Sequence, residues 1–243
     1  KMLTKLKKCK TLKEIYEVLG RIFFEKIAMY IVMGWCLLPI LSIFFHIRWM
    51  GMAEQTFMYR LNILSSYQTA VLLMGVLTLE FLIAYFIGMI LTRSNDWKNE
   101  LFEFIKREPW NVFFLMLFVW IIICTMHSAD KYTSIFGTEY RYEGLVTYCC
   151  YAAVYMCAHI VKEAKYRKCI FNTYAVTAVI LGICLLLQDN HLLYMHKMFV
   201  YDRATVFSQF NHFGYYLNMS ILVITGLFLT SDIKKNEIMY AAG

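Results

Sequence analysis

Two arginines stand among tyrosines at the edges of apolar runs: Arg141 in Gly137-Thr-Glu-Tyr-Arg-Tyr-Glu-Gly144, and Arg203 in Tyr201-Asp-Arg-Ala-Thr-Val-Phe207. A planar guanidinium holds a phosphate or pyrophosphate through two parallel hydrogen bonds. Tyr140 and Tyr142, on either side of Arg141, add stacking faces for sugar rings and further donors. The chemistry such residues could do is to stabilise the negative charge of a departing phosphate group. The same residues also suit a plainer role, as interfacial anchors or as partners of Glu139, Glu143 and Asp202.

The other titratable groups narrow the choice. His191 and His196 are five apart in a connection whose shape the sequence does not fix, and no cysteine pair has ligand spacing, so no metal is expected. Cys36, Cys124, Cys149, Cys150, Cys157, Cys169 and Cys184 fall in or at the ends of apolar segments, where cysteine acts as a small polarizable packing residue, and no disulfide framework is expected. Glu80 is the carboxylate in the middle of an apolar segment. Ionised against lipid it would cost several kcal/mol, so it is expected to face other helices. It fits either a hydrogen-bonded packing residue or a proton-coupled transport site. Asn218 and Ser220 are expected to bond across helices.

The elements that must position these residues are set by composition: 60% of the sequence is hydrophobic and 17% charged, a balance that makes the bilayer the expected solvent. The expected fold is an all-α, polytopic membrane helix bundle. Six apolar segments, near 27–45, 67–91, 110–126, 144–161, 169–187 and 214–230, predict six complete transmembrane helices, and Ile238, Met239 and Tyr240 begin a seventh. The chain is expected to be the N-terminal part of something longer, with the bundle over 27–243 incomplete at its C-terminal end. Pro39 is expected to kink the first helix, while Pro109 sits at the first turn of the third, where a missing N–H costs nothing. Trp49, Trp97 and Trp110 fall at segment ends or flanks, as an aromatic belt requires.

Ahead of the bundle, residues 1–26 form a basic amphipathic stretch. Thr11 and Glu14 make a capping box before Leu12, Ile15, Leu19, Ile22 and Phe23, which share one helical face. The expectation is a helix on the inner leaflet, its lysines drawn to anionic lipid. Of the 24 lysines and arginines, eighteen fall in the N-terminal stretch and the connections 92–109, 162–168 and 231–237, and six in 46–66, 127–143 and 188–213. That bias puts the N-terminus in the cytoplasm. His46, His127, His191, His196 and His212 then map to the outer side, leaving His159 near the inner face.

The stretch Arg203-Ala-Thr-Val-Phe-Ser-Gln-Phe-Asn211-His-Phe-Gly-Tyr-Tyr-Leu217 resembles the arginine, phenylalanine and asparagine motif of the O-antigen ligase and polymerase family, where it opens a transmembrane helix from the outer side. Gly137 to Tyr148, entering the fourth helix, is similar to a second pattern of that family. Arg203, Phe207 and Asn211 keep the motif, whereas the family usually has glycine at Thr205, Asn-Pro at Gln209 and Phe210, and often alanine at Gly214. Outside Gly137 to Leu217 the likeness is one of topology.

The resemblance implies a membrane glycosyltransferase of a bacterial cytoplasmic membrane. Such an enzyme moves a glycan from a polyprenyl pyrophosphate carrier to an acceptor lipid, glycan or protein on the outer side, with no cofactor, metal or nucleic acid. Arg203 and Arg141 would face the pyrophosphate, Asn211 would orient the loop or a phosphate oxygen, and Tyr140 and Tyr142 would meet the sugar. His212 or Glu143 is the candidate base, from position alone. The isolated chain is expected to be inactive, because the family places a histidine in a later outer loop. A transporter or flippase for lipid-linked glycans is the alternative, with Glu80 as its evidence. No similarity between residues 27–126 and 144–243 supports the internal repeat a transporter would carry. A non-catalytic membrane module is a third possibility.

Overall fold

The computed structural model describes residues 9–53, 66–92, 108–137, 144–189 and 210–230, with isolated positions between 99 and 106. Their regular structure is helical: α1 Leu12–Ala53, α2 Ser66–Thr92, α3 Pro109–His127, α4 Lys131–Phe136, α5 Leu145–Ile160, α6 Ala164–Asp189 and α7 Phe210–Leu229. Four stretches are long and apolar enough to cross a membrane: Ile22–Ile40, Val71–Thr92, Trp110–His127 and Ala164–Cys184. The apolar helices Leu145–Ile160 and Gly214–Leu229 are shorter. At 1.5 Å per residue, a helix of sixteen residues is about 24 Å long, against about 30 Å of hydrocarbon. The chain is a multi-pass membrane protein by the length and composition of these helices.

The helix ends follow local chemistry. Thr11 and Glu14 cap α1 as expected: the Glu14 N–H donates to Thr11 Oγ1 at 3.3 Å, and the Lys10 N–H donates to Glu14 Oε2 at 2.9 Å. Pro109 occupies the first turn of α3, where its missing N–H leaves no gap in the ladder. Pro39 lies inside α1, and the departure from helical dihedrals in that helix is instead at Gly20, with φ 65° and ψ 170°. Trp110 is 73% exposed at the start of α3, with Phe113, Met116, Leu117 and Trp120 also exposed, as a lipid-facing helix requires.

The chain divides into two compact units. The first comprises Lys1–Ile31 and Val71–Lys162. Its core is built on small residues: Cys150 of α5 lies where a β-carbon on Gly75 of α2 would be, and Cys157 of α5 approaches the carbonyl oxygen of Ala28 in α1 at 3.8 Å. Phe24 of α1 packs on Phe81 and Tyr85 of α2, with ring centroids 6.2 and 5.7 Å apart. The second unit comprises Val32–Ala70 and Glu163–Gly243. There Ala175 of α6 and Leu227 of α7 are buried together, with Val223 and Ile224 packed against them.

Hydroxyls in these apolar helices return their protons to their own backbone one turn back. Thr78 donates to the Met74 carbonyl at 2.6 Å, Thr125 to Ile121 at 2.9 Å, Thr177 to Thr173 at 2.8 Å and Ser220 to Tyr216 at 2.7 Å. In a solvent without water this satisfies the donor at little cost to the helix.

Candidate functional site

The residues on either side of the Arg141 stretch form a built turn in the first unit. Lys131 Nζ donates to the Thr125 carbonyl at 3.3 Å and to the Met126 carbonyl, closing the C-terminal end of α3. Asp130 caps α4 by accepting from the Thr133 hydroxyl at 2.6 Å and the Thr133 N–H at 3.1 Å. These two bonds hold its carboxyl below the usual 3.8. Gly137 ends α4 with φ 88°, its N–H donating to the Thr133 carbonyl at 2.7 Å. Gly144, which caps α5, stands so close that a β-carbon on it would overlap the Gly137 nitrogen and the Ile135 carbonyl. The two glycines that bracket the predicted site residues are therefore back to back. Tyr140, Arg141, Tyr142 and Glu143 themselves lie outside the described residues.

The second group of predicted residues belongs to the other unit. Arg203 lies outside the described residues. Asn211 and His212 are in the first turn of α7, and their side chains lie outside what is described. More than two turns further on, Ser220 is 2% exposed. Its hydroxyl is 3.2 Å from the Tyr174 hydroxyl of α6 and 2.7 Å from the Tyr216 carbonyl. With one proton to give, it donates to the nearer carbonyl and is left to accept from the phenol. The Tyr174 and Tyr216 rings lie 5.4 Å apart beside it. The bond across helices expected of Ser220 is present, whereas Asn218 is exposed.

Glu80 corrects the sequence reading. Among the described side chains of α2, the buried positions are Val71, Gly75, Thr78, Phe81, Leu82 and Gly88, and Glu80 is exposed. Two residues beyond Thr78 it lies about 200° round the helix from it, so the stripe that packs carries Glu80 outward. Among the described residues the buried carboxylate is Glu25, 3% exposed, which begins a stripe continued by Ala28, Met29 and Val32 at helical spacing. That spacing was available in the sequence; the charge of the basic stretch around it hid the position.

A second polar group went unread. Asn111 of α3 has no exposed surface, and the Tyr155 hydroxyl of α5 donates to its Oδ1. The Tyr155 ring stacks on Phe114 at 4.1 Å and meets His159 edge-on at 4.7 Å. The signal was an amide two residues inside an apolar run that begins at Pro109.

Among the described residues, the polar side-chain contacts between apolar helices include those of Tyr155 with Asn111 and of Ser220 with Tyr174. Among the described residues no three of histidine, cysteine, aspartate and glutamate come together as metal ligands. No protein-family model, curated protein or solved structure matches this chain.

Proposed function

We propose that this chain is part of an O-antigen ligase-like membrane glycosyltransferase. In this reading it has six transmembrane helices, the start of a seventh and a cytoplasmic N-terminus, and it lies in a bacterial cytoplasmic membrane. The observation that carries the reading is the Arg203, Phe207 and Asn211 pattern, which runs into the first turn of a helix at Phe210. A motif that presents an arginine at a helix mouth needs that register. The second support is the Arg141 stretch, which runs into α5 at Leu145 through a glycine.

The reaction joins the anomeric carbon of the glycan to an acceptor hydroxyl oxygen. The bond from that carbon to the pyrophosphate breaks, the leaving group keeps the electron pair, and the hydroxyl proton passes to a base. Arg203 and Arg141 act on the charge that grows on the leaving group, in a site from which water is partly excluded. Asn211 orients the loop or a phosphate oxygen, Tyr140 and Tyr142 meet the sugar, and Glu143 or His212 takes the proton. The donor is a polyprenyl-pyrophosphate-linked glycan, and the acceptor is a lipid, glycan or protein hydroxyl.

The test is Arg203→Ala in the full-length protein, which is expected to lower transfer by about a hundredfold or more at normal membrane levels. Arg203→Lys keeps the charge but loses the two-pronged geometry, and restores a fraction. An interfacial anchor would accept lysine almost fully. Lipid-linked glycan should accumulate on the outer leaflet when transfer fails; accumulation on the inner leaflet would favour transport. Full transfer by Arg203→Ala would sink the assignment.

A further inference from the structure

Glu80 lies well inside the apolar stretch Val71–Thr92, about 13 Å from one end and about 18 Å from the other at 1.5 Å per residue. Its side chain is exposed, and no hydrogen-bond or ion-pair partner for it stands among the described residues. A carboxyl group left against hydrocarbon at that depth is strongly disfavoured, so something must meet it there. The residues beside it form a pattern: Leu73, Leu77, Glu80, Ala84, Ile87 and Leu91 follow one another at alternating spacings of four and three, the repeat of a helix–helix seam. On a helix of 3.6 residues per turn they occupy a band about 80° wide and about 27 Å long. Its four leucines and isoleucine are between 39% and 60% exposed. The opposite stripe is already used, with Val71, Gly75, Thr78 and Leu82 buried, Cys150 closed against Gly75 and Tyr16 against Gly88.

In lipid an apolar seam alone gains little from association, because hydrocarbon is as apolar as leucine. A polar group within the seam supplies the drive and fixes the register. The occupant must therefore bring a hydrogen-bonding group to the depth of Glu80. The cations of the described spans do not: Lys26 lies in the first five residues of Ile22–Ile40, and Lys165, Arg167 and Lys168 in the first five of Ala164–Cys184. In a second copy inserted the same way, the group at that depth on α2 is Glu80 itself. A carboxylic acid carries one donor and an acceptor oxygen, so two of them facing each other across a two-fold axis satisfy one another.

We propose that the face of α2 from Leu73 to Leu91 is a homodimer seam. Two copies of the chain pack there about a two-fold axis along the membrane normal, and their Glu80 side chains hydrogen-bond to each other. Each acid donates its O–H to the carbonyl oxygen of the other, and the leucines on either side close the seam. A different protein with a lysine or arginine at this depth would need the carboxylate of Glu80, which separates the two occupants by substitution.

Energy transfer between donor-labelled and acceptor-labelled copies of the whole chain in phosphatidylcholine vesicles tests this, with the labels on the N-terminus. Transfer should fall on dilution with lipid along the curve of a monomer–dimer equilibrium. Glu80→Gln keeps a donor and an acceptor at the same place and should dimerise like the native chain. Glu80→Leu keeps the apolar seam without the hydrogen bonds and should associate about tenfold more weakly. Glu80 is exposed, so both changes leave the packed stripe of α2 intact. A photoreactive side chain introduced by Leu77→p-benzoylphenylalanine should link α2 to α2 of the second copy, whereas Phe113→p-benzoylphenylalanine, on the exposed face of α3, should not. A native chain that stays monomeric at every lipid ratio would overturn the proposal, as would Glu80→Leu associating like the native chain. Loss of association in Glu80→Gln would place a cation opposite Glu80 and overturn it likewise.

Discussion

Gly144, at the start of α5, stands against the backbone of Ile135 in α4, so close that a β-carbon on it would overlap the Ile135 carbonyl oxygen and the Gly137 nitrogen. Backbone cannot yield as a side-chain tip can. Gly144→Ala should therefore cost about 1–3 kcal/mol, as overpacking generally does. Unfolding of the purified chain in mixed micelles measures it. If Arg141 acts as proposed, the same change in the full-length protein should lower transfer while insertion stays normal.

The bond from Tyr155 to Asn111 joins α5 to α3, with Asn111 fully buried and Tyr155 partly so. Hydrogen bonds between membrane helices average about 0.6 kcal/mol and reach about 1.7. Tyr155→Phe should fall in that range. Asn111→Ala should cost more, about 2 kcal/mol or above, because it also opens a cavity at a closed position. The double variant should cost less than the sum, since both changes remove one interaction.

Two exposed helix caps should titrate. Asp130 is held below its usual 3.8 by the hydroxyl and then the N–H of Thr133, and Glu14 below its usual 4.5 by the Lys10 N–H and then the Thr11 hydroxyl. In both, the folded form favours the ionised carboxylate. The stabilisation is therefore complete above the usual value and is lost as pH falls through the depressed one. The protection of the Thr133 and Lys10 amides, measured against an unstructured chain at the same pH, should fall on acidification through the depressed carboxylate range. Asp130→Asn, which still accepts from Thr133, should make the α4 response flat.

The proposed topology predicts that a reporter active only in the cytoplasm works when fused near Lys98, Lys165 or Lys234 and fails near Lys131 or Lys197. The reverse pattern would put both arginines on the cytoplasmic side, where an outward-facing carrier could not meet them.

The extents of α2 and α3 were legible in the sequence because they depend on local facts, whereas α1 runs over Leu12–Ala53 against an expected 27–45 and α4 lies in what was expected to be a connection. The apolar run 67–91 became Ser66–Thr92, and 110–126 became Pro109–His127, since run length, a proline at the first turn and capping side chains act within a few residues of themselves. The Thr11 and Glu14 cap was readable for the same reason. The motif residues were legible as residue types in order, and the glycines around Arg141 were visible as letters. That Gly137 and Gly144 meet was not, because it depends on how α4 packs against α5.

What only the tertiary structure decided is which way each helix faces. In water an apolar stripe points inward and a charge points out, so periodicity reveals the face. In lipid the surroundings are as apolar as the core, and polarity carries little of that information. Close approach decides instead: Gly75 admits Cys150, Gly88 admits Tyr16, and these contacts turn Glu80 outward on α2. Ser220 meets Tyr174 for a related reason: the packing of Ala175 against Leu227, Val223 and Ile224 brings those faces of α6 and α7 together. Composition determined that this chain is helical and membrane-spanning, while the fit of small residues against large ones determined which polar groups lie between its helices.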